Sequence, residues 1–279
     1  MLFMIRLPAA NPREEDMPEI TVNGISYYYE LHGKGHPLVF IAGFGANHTA
    51  WRFVYPAFTD RHQVLIFDNQ ASGRTRDRGD LLTVESMADG VAGLIDALGL
   101  SAPHIVGHSM GGAIAQILAI KYPDKLDRLV IANSAAEWRG RPLMALKGLI
   151  DVIKSGGSLD CQLEVSMPWL FGHEALADQK RKAELREMIL DNPTPPSLED
   201  LERQFHPLRE FDSSGTLGRI KAPTLVVISD DDILALPAES ERMAESIPGA
   251  RIARIPGGHV SEFEQPEMLA QSIRDFLDQ

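Results

Sequence analysis

The sequence predicts an α/β domain built on a mostly parallel, doubly wound sheet, with a helical cap inserted late in the chain. Three observations carry this expectation. Short apolar runs, such as LVFIA at 38–42 and TLVVI at 224–228, have the continuous hydrophobicity of strands buried on both faces. Between them lie amphipathic stretches whose apolar residues recur at helical spacing, and strand, helix, strand in repetition selects a parallel sheet. One interval of about eighty residues, between the runs at 128–132 and 224–228, is far longer than a crossover needs and marks an insertion.

Taken in order, the chain begins with an apolar MLFMIRL followed by a Pro- and charge-rich stretch; residues 1–16 are read as an N-terminal tail. That opening is too short for a signal-peptide core and lacks a small-residue cleavage site, so export is not expected and a cytoplasmic location is. ITV, then Asn23-Gly24, then ISYYYEL has the pattern of a hairpin, so antiparallel strands open the sheet. QVLIF (63–67), HIVG (104–107), RLVIA (128–132) and RIARI (251–255) supply further strands. VESMADGVAGLIDALGL, AIAQILAIKYPDKL, PAESERMAESI and PEMLAQSIRDFLD supply the helices. Residues 17–136 and 217–279 thus form the core and 137–216 the cap. Within the cap, PLMALKGLIDVIKSG, ADQKRKAELREMILD and SLEDLERQF read as helices, broken by DNPTPPS. Its apolar Met144, Met167, Trp169, Leu170 and Phe171 are candidates for lining a substrate pocket.

Composition narrows the function. With 44% hydrophobic and 24% charged residues the chain is an ordinary globular one. A formal net charge of -12 opposes binding to nucleic acid or anionic membranes, so neither is an expected partner. Cys161 is the single cysteine, which excludes an intrachain disulfide and a cysteine-based zinc site. No metal or nucleotide fingerprint stands in a suitable place, and no cofactor is expected.

The strongest chemical signal is Gly107-His108-Ser109-Met110-Gly111, a G-x-S-x-G string directly between a strand and a helix. Such a turn is tight enough to require small neighbours, and it lifts the serine hydroxyl above the sheet at a helix N-terminus. A hydroxyl is a weak nucleophile, so it needs a base and a carboxylate to orient that base. After TLVVI come Asp230, Asp231 and Asp232, at a strand's carboxyl end, where sheets of this kind build their sites; any of the three can reach inward. After RIARI comes Pro256-Gly257-Gly258-His259, and His259 is the natural base. His108, beside the nucleophile, points away from a base's geometry.

Together, GHSMGG, the acid loop and GGHVSEFEQPE resemble the α/β-hydrolase superfamily from Ile20 onward. The resemblance implies the α/β-hydrolase fold and a triad of Ser109, Asp232 and His259. In that superfamily the acid stands three residues after a strand-ending glycine, and Ser229 occupies that place here, with Asp231 the runner-up. The oxyanion hole needs two backbone N–H donors, one from Met110 and one, by similarity of Gly43-Phe44-Gly45 to the family's HGF loop, from Phe44. Ala42 replaces that loop's usual histidine. Phe44 and Trp51 are further candidates for pocket wall. Asp68 through Thr75 resembles the family's D-x-R-G-x-G-x-S turn, with Gln70 for arginine, and is read as structural.

The expected function is cleavage of a carboxylic ester or lactone through an acyl-enzyme on Ser109, most similar to carboxylesterases and oxoadipate enol-lactonases. Competing expectations are hydrolysis of carbon-carbon bonds in ring-cleavage products, perhydrolysis, and a receptor-like binding protein with negligible turnover.

Overall fold

The structure, a computed structural model, describes residues 18–279. The expected tail at 1–16 lies outside the described residues.

Strands β1 (Glu19–Val22), β2 (Ile25–His32), β3 (His36–Ile41), β4 (His62–Phe67), β5 (His104–His108), β6 (Leu129–Ala132), β7 (Thr224–Ser229) and β8 (Arg251–Ile255) form one sheet in the order β1-β2-β4-β3-β5-β6-β7-β8. Asn23 and Gly24 both have positive φ, as a two-residue type I′ turn demands, and they fold β1 back on β2 as an antiparallel hairpin. β2 pairs antiparallel with β4, and every later pairing is parallel.

Why the central strands are apolar throughout is visible in their alternation. Val39 and Ile41 of β3 enter one core cluster while Leu38, Phe40 and Ala42 enter the other; Val226 and Ile228 of β7 likewise oppose Leu225 and Val227. Helices α1 (Val84–Ala97) and α2 (Met110–Lys121) cover the first face, and α10 (Pro266–Leu277) covers the second. Each two-residue step therefore buries one side chain per face, the pattern of a strand covered twice. Helix α8 (Pro237–Glu245) joins β7 to β8 on the first face, through Met243 and Ala244.

Between β6 and β7 lie α3 (Arg141–Lys154), α4 (Leu159–Leu170), α5 (His173–Ala177), α6 (Gln179–Leu190) and α7 (Leu198–Glu210). Leu163, Met167 and Phe171 from α4 and its end meet Leu185 of α6 in a small core of their own. A short α9 (Ser261–Glu264) precedes α10. Among the described residues no helix is long and apolar enough to cross a membrane.

Candidate active site

Ser109 sits between β5 and α2 with φ 55° and ψ -119°, a left-handed conformation that costs a side-chain-bearing residue about 1–3 kcal/mol. The surroundings enforce it. A Cβ at Gly107 would stand 2.3 Å from the Gly111 carbonyl oxygen, and one at Gly111 would stand 2.1 Å from that of Ile41. Ser109 N–H donates to the Ala132 carbonyl at 3.0 Å, and its own carbonyl accepts from the Ser134 hydroxyl at 2.8 Å. Turn geometry and close packing thus hold the hydroxyl at the carboxyl end of the sheet.

Two loops from neighbouring strands meet it there. His259 Nε2 lies 2.8 Å from Ser109 Oγ, and His259 Nδ1 lies 2.8 Å from Asp232 Oδ2. A carboxylate only accepts, so the ring hydrogen belongs on Nδ1, which leaves the Nε2 lone pair facing the serine hydroxyl. Asp232 is buried, and its other oxygen accepts the N–H groups of Leu234 and Ala235, each at 2.8 Å. Its neighbours do not compete: Asp231 accepts the His173 N–H at the start of α5, and Asp230 pairs with Arg254.

One polar residue at this centre was absent from the sequence reading. Asn133, just past β6 with φ 47°, donates from Nδ2 to Asp232 Oδ2 at 3.0 Å and to Ser229 Oγ at 2.8 Å, and accepts from the Ser261 hydroxyl at 2.8 Å. A lone asparagine at the carboxyl end of a central strand was the available signal. Ser229, standing where glycine was expected, gives that asparagine its second acceptor.

The Gly43-Phe44 loop runs against the nucleophile, since a Cβ on Gly43 would lie 3.1 Å from Ser109 Cβ. Among the described residues, neither the Phe44 nor the Met110 N–H has a hydrogen-bond partner. The loop is held from outside the sheet: Gly45 N–H donates to Gln204 Oε1 of α7 at 2.8 Å, while Gln204 Nε2 donates to the Gln70 carbonyl at 3.0 Å. Asn47 adds bonds to Asn192 and Thr194. Asp68 serves the same loops, accepting the backbone N–H groups of His48 and Arg74, both at 2.8 Å.

Beneath the triad, the His108 imidazole donates from Nε2 to the His259 carbonyl at 2.8 Å. Burial, and then the neighbouring His259, push its pKa down to about 3, so it is neutral and braces the His259 backbone. Glu262 faces it at 3.3 Å; burial raises this carboxyl to about 8, with the Asp232 charge adding to the rise. Glu262 therefore carries a proton at neutral pH, which spares Asp232 a further negative charge beside it.

Ser109 and His259 open into a pocket of about 410 Å³. Phe44, Trp138, Leu146, Leu149 and Ile153 of α3, Trp169, Leu170, Phe171, and Met188 to Leu190 of α6 line it, together with Arg52 and Gln162. Trp169, Leu170, Phe171 and Phe44 accordingly stand where the sequence placed them. Met144 does not: it is 75% exposed, because α3 turns Leu146, Leu149 and Ile153 inward and leaves Met144 on the solvent side with Lys147 and Asp151. Met167 is buried in the small α4–α6 core behind the pocket wall. Trp51 packs against Phe40 in the sheet core, ring centroids 4.7 Å apart.

Comparison with known proteins agrees with this fold. The sequence profile of the alpha/beta hydrolase fold matches residues 36–266. The chain is 32% identical over 266 residues to a putative carbamate hydrolase RutD from a Caulobacter species, covering 92% of this chain and 97% of the relative. A thermophilic esterase from Thermogutta terrifontis superposes with a TM-score of 0.81 at 28% identity, covering 94% of this chain and 98% of that one. An enol-lactonase from Burkholderia xenovorans shares the fold, with a TM-score of 0.83 at 23% identity, 94% of this chain and 100% of that one being covered.

Proposed function

The chain belongs to the α/β-hydrolase fold family, and from that premise we propose that it is a serine hydrolase that cleaves a carboxylic ester or lactone through an acyl-enzyme on Ser109. The observation that carries this reading is the continuous relay from Ser109 Oγ to His259 Nε2 and from His259 Nδ1 to Asp232, each link 2.8 Å, opening on an apolar pocket.

Ser109 Oγ attacks the substrate carbonyl as its proton passes to His259 Nε2. The resulting oxyanion is met by the N–H groups of Phe44 and Met110, a role supported by their having no other hydrogen-bond partner among the described residues. Collapse expels the alcohol, which takes the proton back from Nε2; in a lactone that alcohol stays tethered to the acyl group. Water, deprotonated by the same nitrogen, then releases the acid and restores Ser109. Asp232 keeps the imidazole in the required tautomer and balances the imidazolium. The substrate is a small molecule, and residues 137–216 act as a cap whose α3, α4 and α6 side chains receive its hydrocarbon part.

Carbamate cleavage is the second reading, favoured by the 32% identical relative of that name. Attack by Ser109 on a carbamate carbonyl uses the same groups. The mostly apolar lining favours the ester, because a small polar substrate leaves most of that wall without contacts.

Hydrolysis of nitrophenyl esters of graded acyl length, run beside aryl carbamates and lactones, tests the reading. Ester turnover that varies with chain length supports it. Turnover of carbamates alone selects the second reading, and turnover of none of the three substrate classes refutes both.

A further inference from the structure

At the opposite end of the sheet from Ser109 three histidines converge. β3, β4 and β5 are adjacent and parallel, and their register sets His36 against His62 and Leu38 against His104. The three imidazoles therefore gather at the amino ends of the strands, roughly 16 Å below the nucleophile for the five residues of β5 that separate them at ~3.3 Å each. The rings of His36 and His104 are 4.2 Å apart, centroid to centroid, and that of His62 is 5.7 Å from His104.

Asp127 closes the group. The loop before β6 is fixed to the start of β5, since Asp127 N–H donates to the Pro103 carbonyl at 3.1 Å and Ile105 N–H donates to the Arg128 carbonyl at 2.9 Å. This sets an Asp127 carboxylate oxygen 3.3 Å from His104 Nδ1. Yet that nitrogen, buried in a residue only 6% exposed, makes no hydrogen bond among the described residues. A buried nitrogen left without a hydrogen bond is under-satisfied, and an ion seated between His104 and Asp127 would give it a partner.

We propose that His36, His104 and Asp127 form a binding site for one divalent transition-metal ion of the zinc class, independent of the hydrolytic centre. The donor atoms of these three residues all lie within 4.8 Å of one another. Two imidazole nitrogens and one carboxylate oxygen are the ligand types such an ion takes, at about 2.0–2.2 Å, which calls for donors roughly 3.3 Å apart in a tetrahedral set. His36 is exposed and the Asp127 side chain is half exposed, so both can close that gap while the buried His104 stays still. Water completes the coordination.

His62 holds the ring wall in place: its Nδ1–H donates to the His36 carbonyl at 3.2 Å, fixing the backbone that carries one ligand. Arg128, 3.9 Å from the Asp127 carboxylate, is the competing cation and must yield its loose pairing when the ion binds. The bound ion ties the first turns of β3 and β5 to the β6 loop, and by linkage it raises the stability of the fold.

The test is isothermal titration of the chelator-treated full chain with Zn²⁺, on wild type, His36→Ala, Asp127→Asn, their double variant and His259→Ala, with thermal melts alongside. Both substituted ligands are surface side chains, so folding is retained, and circular dichroism and the ester assay verify it. The proposal predicts one Zn²⁺ per chain, affinity at least tenfold weaker in each single variant and lost in the double, unchanged affinity in His259→Ala, and a zinc-dependent rise in melting temperature that the double variant lacks. Absence of saturable binding through the millimolar range, binding that persists in the double variant, or binding lost in His259→Ala each overturns it.

Discussion

Replacing Asp232 by asparagine changes one oxygen to an NH₂ group and, with it, the direction of every bond on that side of the carboxylate. In the native site Oδ1 accepts the Leu234 and Ala235 N–H groups, while Oδ2 accepts from His259 Nδ1 and Asn133 Nδ2. The amide of Asp232→Asn keeps its oxygen toward the two backbone donors, because turning it would strand both. Its NH₂ then faces two donors. Asn133 cannot relieve this for nothing, since its Nδ2 also serves Ser229 and its oxygen accepts from Ser261. His259 can relieve it by moving its hydrogen from Nδ1 to Nε2, but that tautomer presents N–H to Ser109 and cannot take its proton. Two consequences follow with different magnitudes. Stability falls by about 1–3 kcal/mol for the unpaired donor contact, a few degrees in Tm. The rate constant kcat falls on the order of 10⁴-fold, the size expected of a wrong tautomer, while KM stays close to native. Steady-state hydrolysis of a nitrophenyl ester with a parallel thermal melt measures both. Asp231→Asn is the control: among the described residues its carboxylate accepts only the N–H at the start of α5, and it retains native kcat within a few fold. If Asp232→Asn stays within tenfold of wild type, or Asp231→Asn is the slower enzyme, the reasoning is wrong.

Two further predictions follow from the groups around the triad. Asn133→Leu removes the amide that steadies Asp232 and leaves Ser261 without its acceptor; one lost charge-assisted hydrogen bond of about 1.5–3 kcal/mol sets an expected drop in kcat of about 10- to 100-fold with little change in KM, and a large rise in KM beside that drop would mean the pocket has collapsed instead. Glu262 gives a pH effect. Its carboxyl is raised from 4.5 to about 8 on folding, so its contribution to stability is full below about 4.5 and is lost as the pH rises through about 8. Urea midpoints of wild type should therefore fall from pH 5 to pH 9 relative to those of Glu262→Gln, and parallel curves would show that the carboxyl is not held protonated.

Much of the sheet was legible because its strands are covered on both faces and read as unbroken apolar runs, and because Asn23-Gly24 permits only a tight reversal. The string around Ser109 was legible for the same kind of reason: the backbone geometry admits glycine and little else at 107 and 111. Reading failed where a residue's role depends on which side of an element faces what. Met144 and Met167 both look like pocket residues in sequence, but the rotation of α3 exposes the first and the α4–α6 contact buries the second. Helix α4 carries Pro168 within it and escaped recognition, although Leu163, Met167 and Phe171 do recur at the i, i+4, i+8 spacing of its packed face. Asn133, marked only by its place at a strand's carboxyl end, and Gln204 were hard to read for a different reason, since each acts through partners that are distant in sequence: Asp232 lies 99 positions from Asn133, and Gly45 lies 159 positions from Gln204.

The central claim is that Ser109 is the nucleophile, and the most direct measurement is intact-protein mass spectrometry after exposure to a fluorophosphonate, followed by peptide mapping, on wild type, Ser109→Ala and His259→Ala. The account predicts a single adduct on the peptide carrying Ser109, formed rapidly in wild type, absent in Ser109→Ala and slowed by orders of magnitude in His259→Ala, with ester turnover lost in step. An adduct on another residue, or ester turnover that survives Ser109→Ala, would contradict it.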